Sequence, residues 1–95
     1  NGLQGTRHVV ARKLVPDPAA PNGNKLTTQV QVVISNHSAR ATDAIIREAV
    51  EAYGREWTVT ESSFPHKKLG DRMMEFRVPV TANASVSLAY TVESR

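Results

Sequence analysis

The sequence predicts an all-β fold, an antiparallel sandwich of about six to seven strands. Three observations carry that reading. Twelve Val, three Ile and eight Thr make 23 β-branched residues against five Leu, and such side chains suit a pleated, half-buried surface better than a helix. Several segments alternate between apolar and polar residues, as a strand with one buried and one wet face does. Polar turns separate these segments at 8–14-residue intervals, the spacing of a sandwich. A βαβ fold needs alternating helices, and the chain has one candidate.

The first run, His8 to Val15, is apolar and basic and stops at Pro16. The cluster Pro16-Asp17-Pro18-Ala19-Ala20-Pro21-Asn22-Gly23-Asn24 forbids regular structure and reads as a long loop between two strands. Leu26 to Asn36 gives the cleanest strand signal. Leu26, Thr28, Val30, Val32 and Ile34 share one face, and Thr27, Gln29, Gln31 and Ser35 the other. Asn36-His37-Ser38 then makes a turn.

Asp43 to Tyr53 is the ambiguous segment. Ile45, Ile46, Ala49, Val50 and Tyr53 fall at helical spacing, with Thr42 or Asp43 able to cap and Gly54 able to stop the helix. Read as a strand, it places Ala44, Ile46, Glu48 and Val50 on one face. Local propensity favours the helix.

Trp57, Val59 and Glu61 alternate with Thr58, Thr60 and Ser62 in a short strand. Ser63 to Asp71, with Pro65 and Gly70, reads as a loop. Met74, Phe76, Val78 and Val80 face one way and Met73, Glu75, Arg77 and Pro79 the other, the proline outward near a strand end. After a turn at Thr81-Ala82-Asn83-Ala84, Val86, Leu88, Tyr90 and Val92 alternate with Ser85, Ser87, Ala89 and Thr91. The four-residue connection makes these last two strands read as a hairpin.

Length bounds the rest. Ninety-five residues make a single domain, 1–95, able to bury about 65% of its unfolded surface. With no cysteine, disulfide and thiolate chemistry are excluded. No apolar run approaches the ~18–20 residues of a membrane helix, so membrane insertion by this domain is not expected. The chain opens at Asn1 without a methionine, which reads as a fragment of a longer chain. The absent cysteine fits an extracytoplasmic location.

An ordered series of motifs has a relative. It comprises Gln31-Val32-Val33-Ile34-Ser35-Asn36-His37, a Glu-containing segment ending in Trp57, and Thr60-Glu61-Ser62-Ser63. Phe76-Arg77-Val78-Pro79-Val80-Thr81-Ala82-Asn83 and then Leu88-Ala89-Tyr90-Thr91-Val92 complete it. The series resembles the carboxy-terminal domain of the family called domain of unknown function 4139, or mucoidy-inhibitor-like. Val9-Val10-Ala11-Arg12-Lys13-Leu14 is similar to that family's opening strand. The sequence departs from the pattern after Glu48, where Ala49-Val50-Glu51-Ala52 stands in place of the usual proline. The resemblance implies an immunoglobulin-like or fibronectin-like sandwich in an exported or envelope-associated bacterial protein. It also implies that Ala44 to about Val50 is a strand, and we adopt that reading. No enzymatic activity, cofactor or ligand is implied.

The residues themselves suggest little chemistry. His8, His37 and His66 have no paired spacing, whereas zinc wants three or four convergent ligands. A hydrolase triad of His37, Ser38 and Asp43 lacks the elbow that positions a nucleophile. Asn36-His37-Ser38 and Asn83-Ala84-Ser85 fit the glycosylation pattern, on turns where Asn and Ser belong anyway. Arg7, His8, Arg12 and Lys13 form a basic opening and Lys67-Lys68 a second pair. With five aromatics, and Trp57, Phe76 and Tyr90 assigned to the core, stacking platforms for nucleic acid are missing. A solvated edge strand guarded by charge accounts for the basic opening. Phe64, between Ser63 and Pro65, is expected to be the exposed aromatic.

The expected function is a non-enzymatic structural or protein-interaction domain of the bacterial envelope, with no cofactor. Its partners would be other domains of its own chain or other proteins, met through a sheet edge or the long loops. The contact candidates are Phe64, Lys67, Lys68 and Arg12. The alternative is a carbohydrate- or polymer-binding accessory module of a larger enzyme, for which an exposed Trp57 beside Phe64 would be the sign.

Overall fold

A computed structural model that describes residues 2–50 and 56–95 has seven strands and no helix among those residues. The strands are β1 (Leu3–Pro16), β2 (Asn24–Asn36), β3 (Thr42–Ala49), β4 (Trp57–Ser62), β5 (His66–Lys68), β6 (Met73–Val80) and β7 (Ser85–Ser94). They form two antiparallel sheets, one ordered β1-β2-β7-β4 and the other β3-β6-β5. The sandwich architecture is as expected. Its strand order is its own: in an immunoglobulin domain the last two strands share a sheet, and here they do not.

The core is the set that alternation marks. Val30, Val32 and Ile34 of β2, Leu88, Tyr90 and Val92 of β7 and Trp57 of β4 pack against Ala44, Val50, Met74, Phe76, Val78 and Val80. Phe76, Met74, Val78 and Leu88 have no exposed surface. The Phe76 and Tyr90 rings stack across the two sheets with centroids 5.2 Å apart, an arrangement that adds to their area burial.

Two expectations need correction. First, the connection 81–84 is not a hairpin turn. It carries the chain from β6 in one sheet to β7 in the other, held by Asn36 N donating to Ala84 O and Asn83 N donating to Ser38 O. Asn83 takes φ 54°, a left-handed conformation that asparagine tolerates. Second, the segment 63–71 is not all loop, because His66–Lys68 pair with β6 as β5. Those three residues are exposed on both faces, so no alternation marks them.

The strand reading adopted for Ala44 to about Val50 holds, as β3, although its local propensity is helical. Ile46 lies opposite Phe76, and all eight β3 residues pair with β6. Sheet pairing and burial of Ala44 and Glu48 override a preference worth only tenths of a kcal/mol per residue, about 0.7 at most. On the outer face, Arg47 pairs with Glu75 and Arg77 with Asp43. Tyr53 and Gly54, which the helical reading also used, lie outside the described residues.

The breaker cluster is the expected loop between β1 and β2. Asp17 Oδ1 accepts from Ala19 N at 3.0 Å, and Gly23, at φ 74°, turns the chain into β2. The hairpin it closes is long and gives the molecule a 51 Å axis.

Candidate functional site

The two sheets differ in width, and this leaves one side of the sandwich open. The four-stranded sheet ends there in β1 and the three-stranded sheet in β3. Glu48 stands on the inward face of β3, in line with Ala44 and Ile46, with its side chain 10% exposed. An inward carboxylate is costly unless it is bonded. Tyr90, from the middle of the opposite sheet, donates its hydroxyl to Glu48 Oε1 at 2.6 Å. Arg7, from β1, donates Nε to the same oxygen at 2.7 Å.

The electrostatics follow from that geometry. Burial pushes the Tyr90 hydroxyl far above the usual phenol range, and the bond to Glu48 pushes it further. The same carboxylate raises the already high pKa of the Arg7 guanidinium. Both shifts carry these groups away from neutrality. The trio is a clasp between the sheets. Among the described residues no buried side-chain nitrogen or oxygen lacks a hydrogen-bond partner.

Outside the clasp, β1 is nearly bare. Eleven consecutive residues from Gln4 to Leu14 are exposed, with Val9 at 49%, Val10 at 60% and Leu14 at 54%. Val9 and Leu14 lie opposite the buried Val30 and Leu26 of β2, so they point the way core residues point. A register shift between Val9 and Ala11 leaves Val10 as a bulge. Among the described residues β1 pairs with β2 alone.

The expected contact residues do not converge. Arg12 lies on β1, at one side of the sandwich, and Lys67 and Lys68 lie on β5, at the other. Lys67 faces Glu75 at 3.9 Å. Lys68 places its ammonium 4.2 Å from the Trp57 ring centroid and donates to Trp57 O at 2.8 Å. Phe64 corrects an expectation: it is half-buried and packs against the core, while Ser62 Oγ bonds Phe64 O in the turn around it. Trp57 is 6% exposed and donates its indole N–H to Asp71 O.

The other candidates are equally dispersed. His8, His37 and His66 sit on β1, after β2 and on β5, and among the described residues no group of three His, Cys, Asp or Glu could hold a metal. Ser38 Oγ donates to Arg40 O, while Asp43 faces Arg77. Asn36 is 1% exposed; its amide donates to the carbonyls of Arg40, Val80 and Thr81 and accepts from Ser38 N. That sequon asparagine is a latch inside the fold. Among the described residues no helix is long and apolar enough to cross a membrane.

A groove of about 530 Å³ crosses the outer face of the larger sheet, lined by Val10, Gln29, Gln31, Glu61, Ser63 and Thr91. Its one aromatic neighbour, Tyr90, turns its ring inward onto Phe76.

Sequence reasoning missed the role of Glu48. The signal was present, as a lone carboxylate in register with Ala44 and Ile46, but its partners lie 41 and 42 residues away. No protein family, no curated protein and no solved structure matches this chain.

Proposed function

We propose that this chain is a non-enzymatic structural or protein-interaction domain that meets its partners along β1. The observation that carries the reading is the strand itself. Fourteen residues long, paired on one flank among the described residues, it shows Val9, Val10 and Leu14 to solvent. Natural sheets usually shorten, bulge, charge or cover such an edge. Here charge and one bulge are present, and among the described residues no second strand pairs with β1, the arrangement that strand addition uses. The resemblance to the domain of unknown function 4139 family supports a β-sandwich module in an extracytoplasmic bacterial protein. Partners would then be other domains of the same chain or neighbouring envelope proteins. The accessory-module alternative has lost its carrier, since Trp57 is buried and Phe64 half-buried.

The absence of cysteine makes the test direct. Single cysteines replace Val10 on β1 and Lys67 on β5, and thiol labelling rates are compared in the purified chain and in the cells that make it. Occupied β1 predicts several-fold slower labelling in cells at position 10 and little change at position 67. Equal rates at position 10 in both settings overturn the proposal.

A further inference from the structure

Resting on the reading of β1 as an interaction edge, we infer that the strand added there is β1 of a second copy of this chain, paired antiparallel over residues 3–9 about a two-fold axis at Thr6. One residue in that stretch has no use within its own fold. Gly5 sits inside β1, opposite Ile34, where a glycine weakens the strand and marks a place that another group approaches closely. Nothing in its own chain does so. A side chain on Gly5 would meet only Val33 O, at 4.0 Å, and its φ is not positive, so neither space nor conformation calls for glycine. Val9 is the second oddity. It points the way Val30 points, towards the side where the three-stranded sheet stops short, yet it is 49% exposed.

A two-fold axis makes the patch self-complementary, each residue meeting the one equally far beyond the axis. The bulge at Val10 ends the regular stretch. Centred on Thr6, the pairing uses all of residues 3–9: Leu3 opposite Val9, Gln4 opposite His8, Gly5 opposite Arg7, and Thr6 opposite Thr6. Leu3, which already packs against the core, then covers the other copy's Val9. Two threonines make a favourable cross-strand pair. Arg7 keeps its bond to Glu48, and Gly5 opposite it leaves the long side chain its path. Other centres fit worse. An axis at Arg7 sets two guanidinium groups against each other, one at Gly5 leaves His8 and Val9 unpaired, and one at His8 brings the bulged Val10 opposite Thr6. An axis between two residues sets inward side chains against outward ones. Arg12 and Lys13 stay outside the pairing, because the bulge bends the strand away beyond Val9.

An edge pairing this short ranks with interfaces under about 1,200 Å², which associate weakly. The purified chain should therefore sediment as a monomer at micromolar concentration and become half dimeric at about 0.1–1 mM. The absent cysteine lets the register be read by Thr6→Cys, since residues opposite each other in an antiparallel pair, with Cα atoms about 4.5–5.5 Å apart, are within disulfide reach. Under mild oxidation at about 0.5 mM, Thr6→Cys should cross-link about tenfold faster than Thr58→Cys, on β4 at the other edge of the same sheet. Gly5→Val suits a strand better and meets open space within one chain. It should hold or raise the melting temperature while slowing the cross-link at position 6 about tenfold. A chain still monomeric at about 1 mM overturns the second copy, as does a dimer in which position 6 cross-links no faster than position 58. An undiminished cross-link in Gly5→Val overturns the register and the inference with it. Each of these failures leaves β1 open to another protein, which slower labelling of position 10 in cells reports independently.

Discussion

Tyr90 donates its hydroxyl to Glu48 Oε1 at 2.6 Å, and this bond ties the centre of one sheet to the edge of the other. It gives an inward, largely buried carboxylate a partner, which is why removing the donor should cost more than the net worth of an ordinary hydrogen bond. Tyr90→Phe keeps the ring on Phe76 and deletes only the hydroxyl. Urea unfolding should show a loss of about 1.5–3 kcal/mol, or roughly 4–8 °C in melting temperature per kcal/mol for a domain of this size. Arg7→Leu should cost less, because its side chain is 46% exposed and solvent screens the pair. The two effects should not add, since both donors share one oxygen.

Stability should fall on the alkaline side. Burial and the neighbouring carboxylate raise the Tyr90 pKa in the folded chain, so the folded form keeps its proton where the unfolded form begins to lose it. The contribution is whole below the ordinary phenol value, about 10, and is lost as pH rises beyond it towards the folded value. Urea midpoints from about pH 8 to about pH 11 should decline in the parent chain and decline less in Tyr90→Phe. Parallel slopes would refute the assignment.

Asn36 offers a sharper contrast. Its amide points at three carbonyls, those of Arg40, Val80 and Thr81, at 2.8–3.3 Å. Asn36→Ala should cost about 1–3 kcal/mol by leaving them unpaired. Asn36→Asp should cost more at neutral pH, by aiming a carboxylate at the same oxygens. The difference should shrink near pH 4, where that carboxyl can hold a proton and donate. Chemical denaturation at the two pH values reads this directly.

The Lys68 ammonium lies 4.2 Å from the centroid of the Trp57 ring. Lys68→Met keeps the stem and removes the charge, so stability should drop by about 0.5–1 kcal/mol. Trp57 is the sole tryptophan, and its emission should shift in the same variant. An unchanged spectrum would place the lysine elsewhere in solution.

Alternation made individual strands legible and left their pairing hidden. The inward sets of β2, β6 and β7 were readable because each strand buries one face fully, so every second residue is apolar. Which sheet a strand joins depends on partners far along the chain. The four residues between β6 and β7 suit a hairpin as well as a crossing, and only the bonds from Ser38 and Asn36 to 83 and 84 select the crossing. β5 escaped notice because three exposed residues have no period. Phe64 was misread because its burial comes from packing against core residues of other strands, which its neighbours Ser63 and Pro65 do not announce. At the open side, the basic character of β1 was visible in the sequence and explained as edge protection. Glu48 and Tyr90 were both on inward faces in that reading, but nothing local joins residues 42 apart.

The place of β7 has a consequence for how the protein comes into being. The strand made last lies between β2 and β4, so the larger sheet has a gap in its middle until residues 85–94 have left the ribosome. At about 5–20 residues per second, β1 and β2 can close their hairpin during synthesis, but β4 has no neighbour to join and Glu48 no phenol to meet. The core between the sheets cannot close until β7 is present. A chain ending before Tyr90 keeps every strand of the β1-β2 hairpin and of the β3-β6-β5 sheet, but it lacks the strand that joins β2 to β4 and the phenol that meets Glu48.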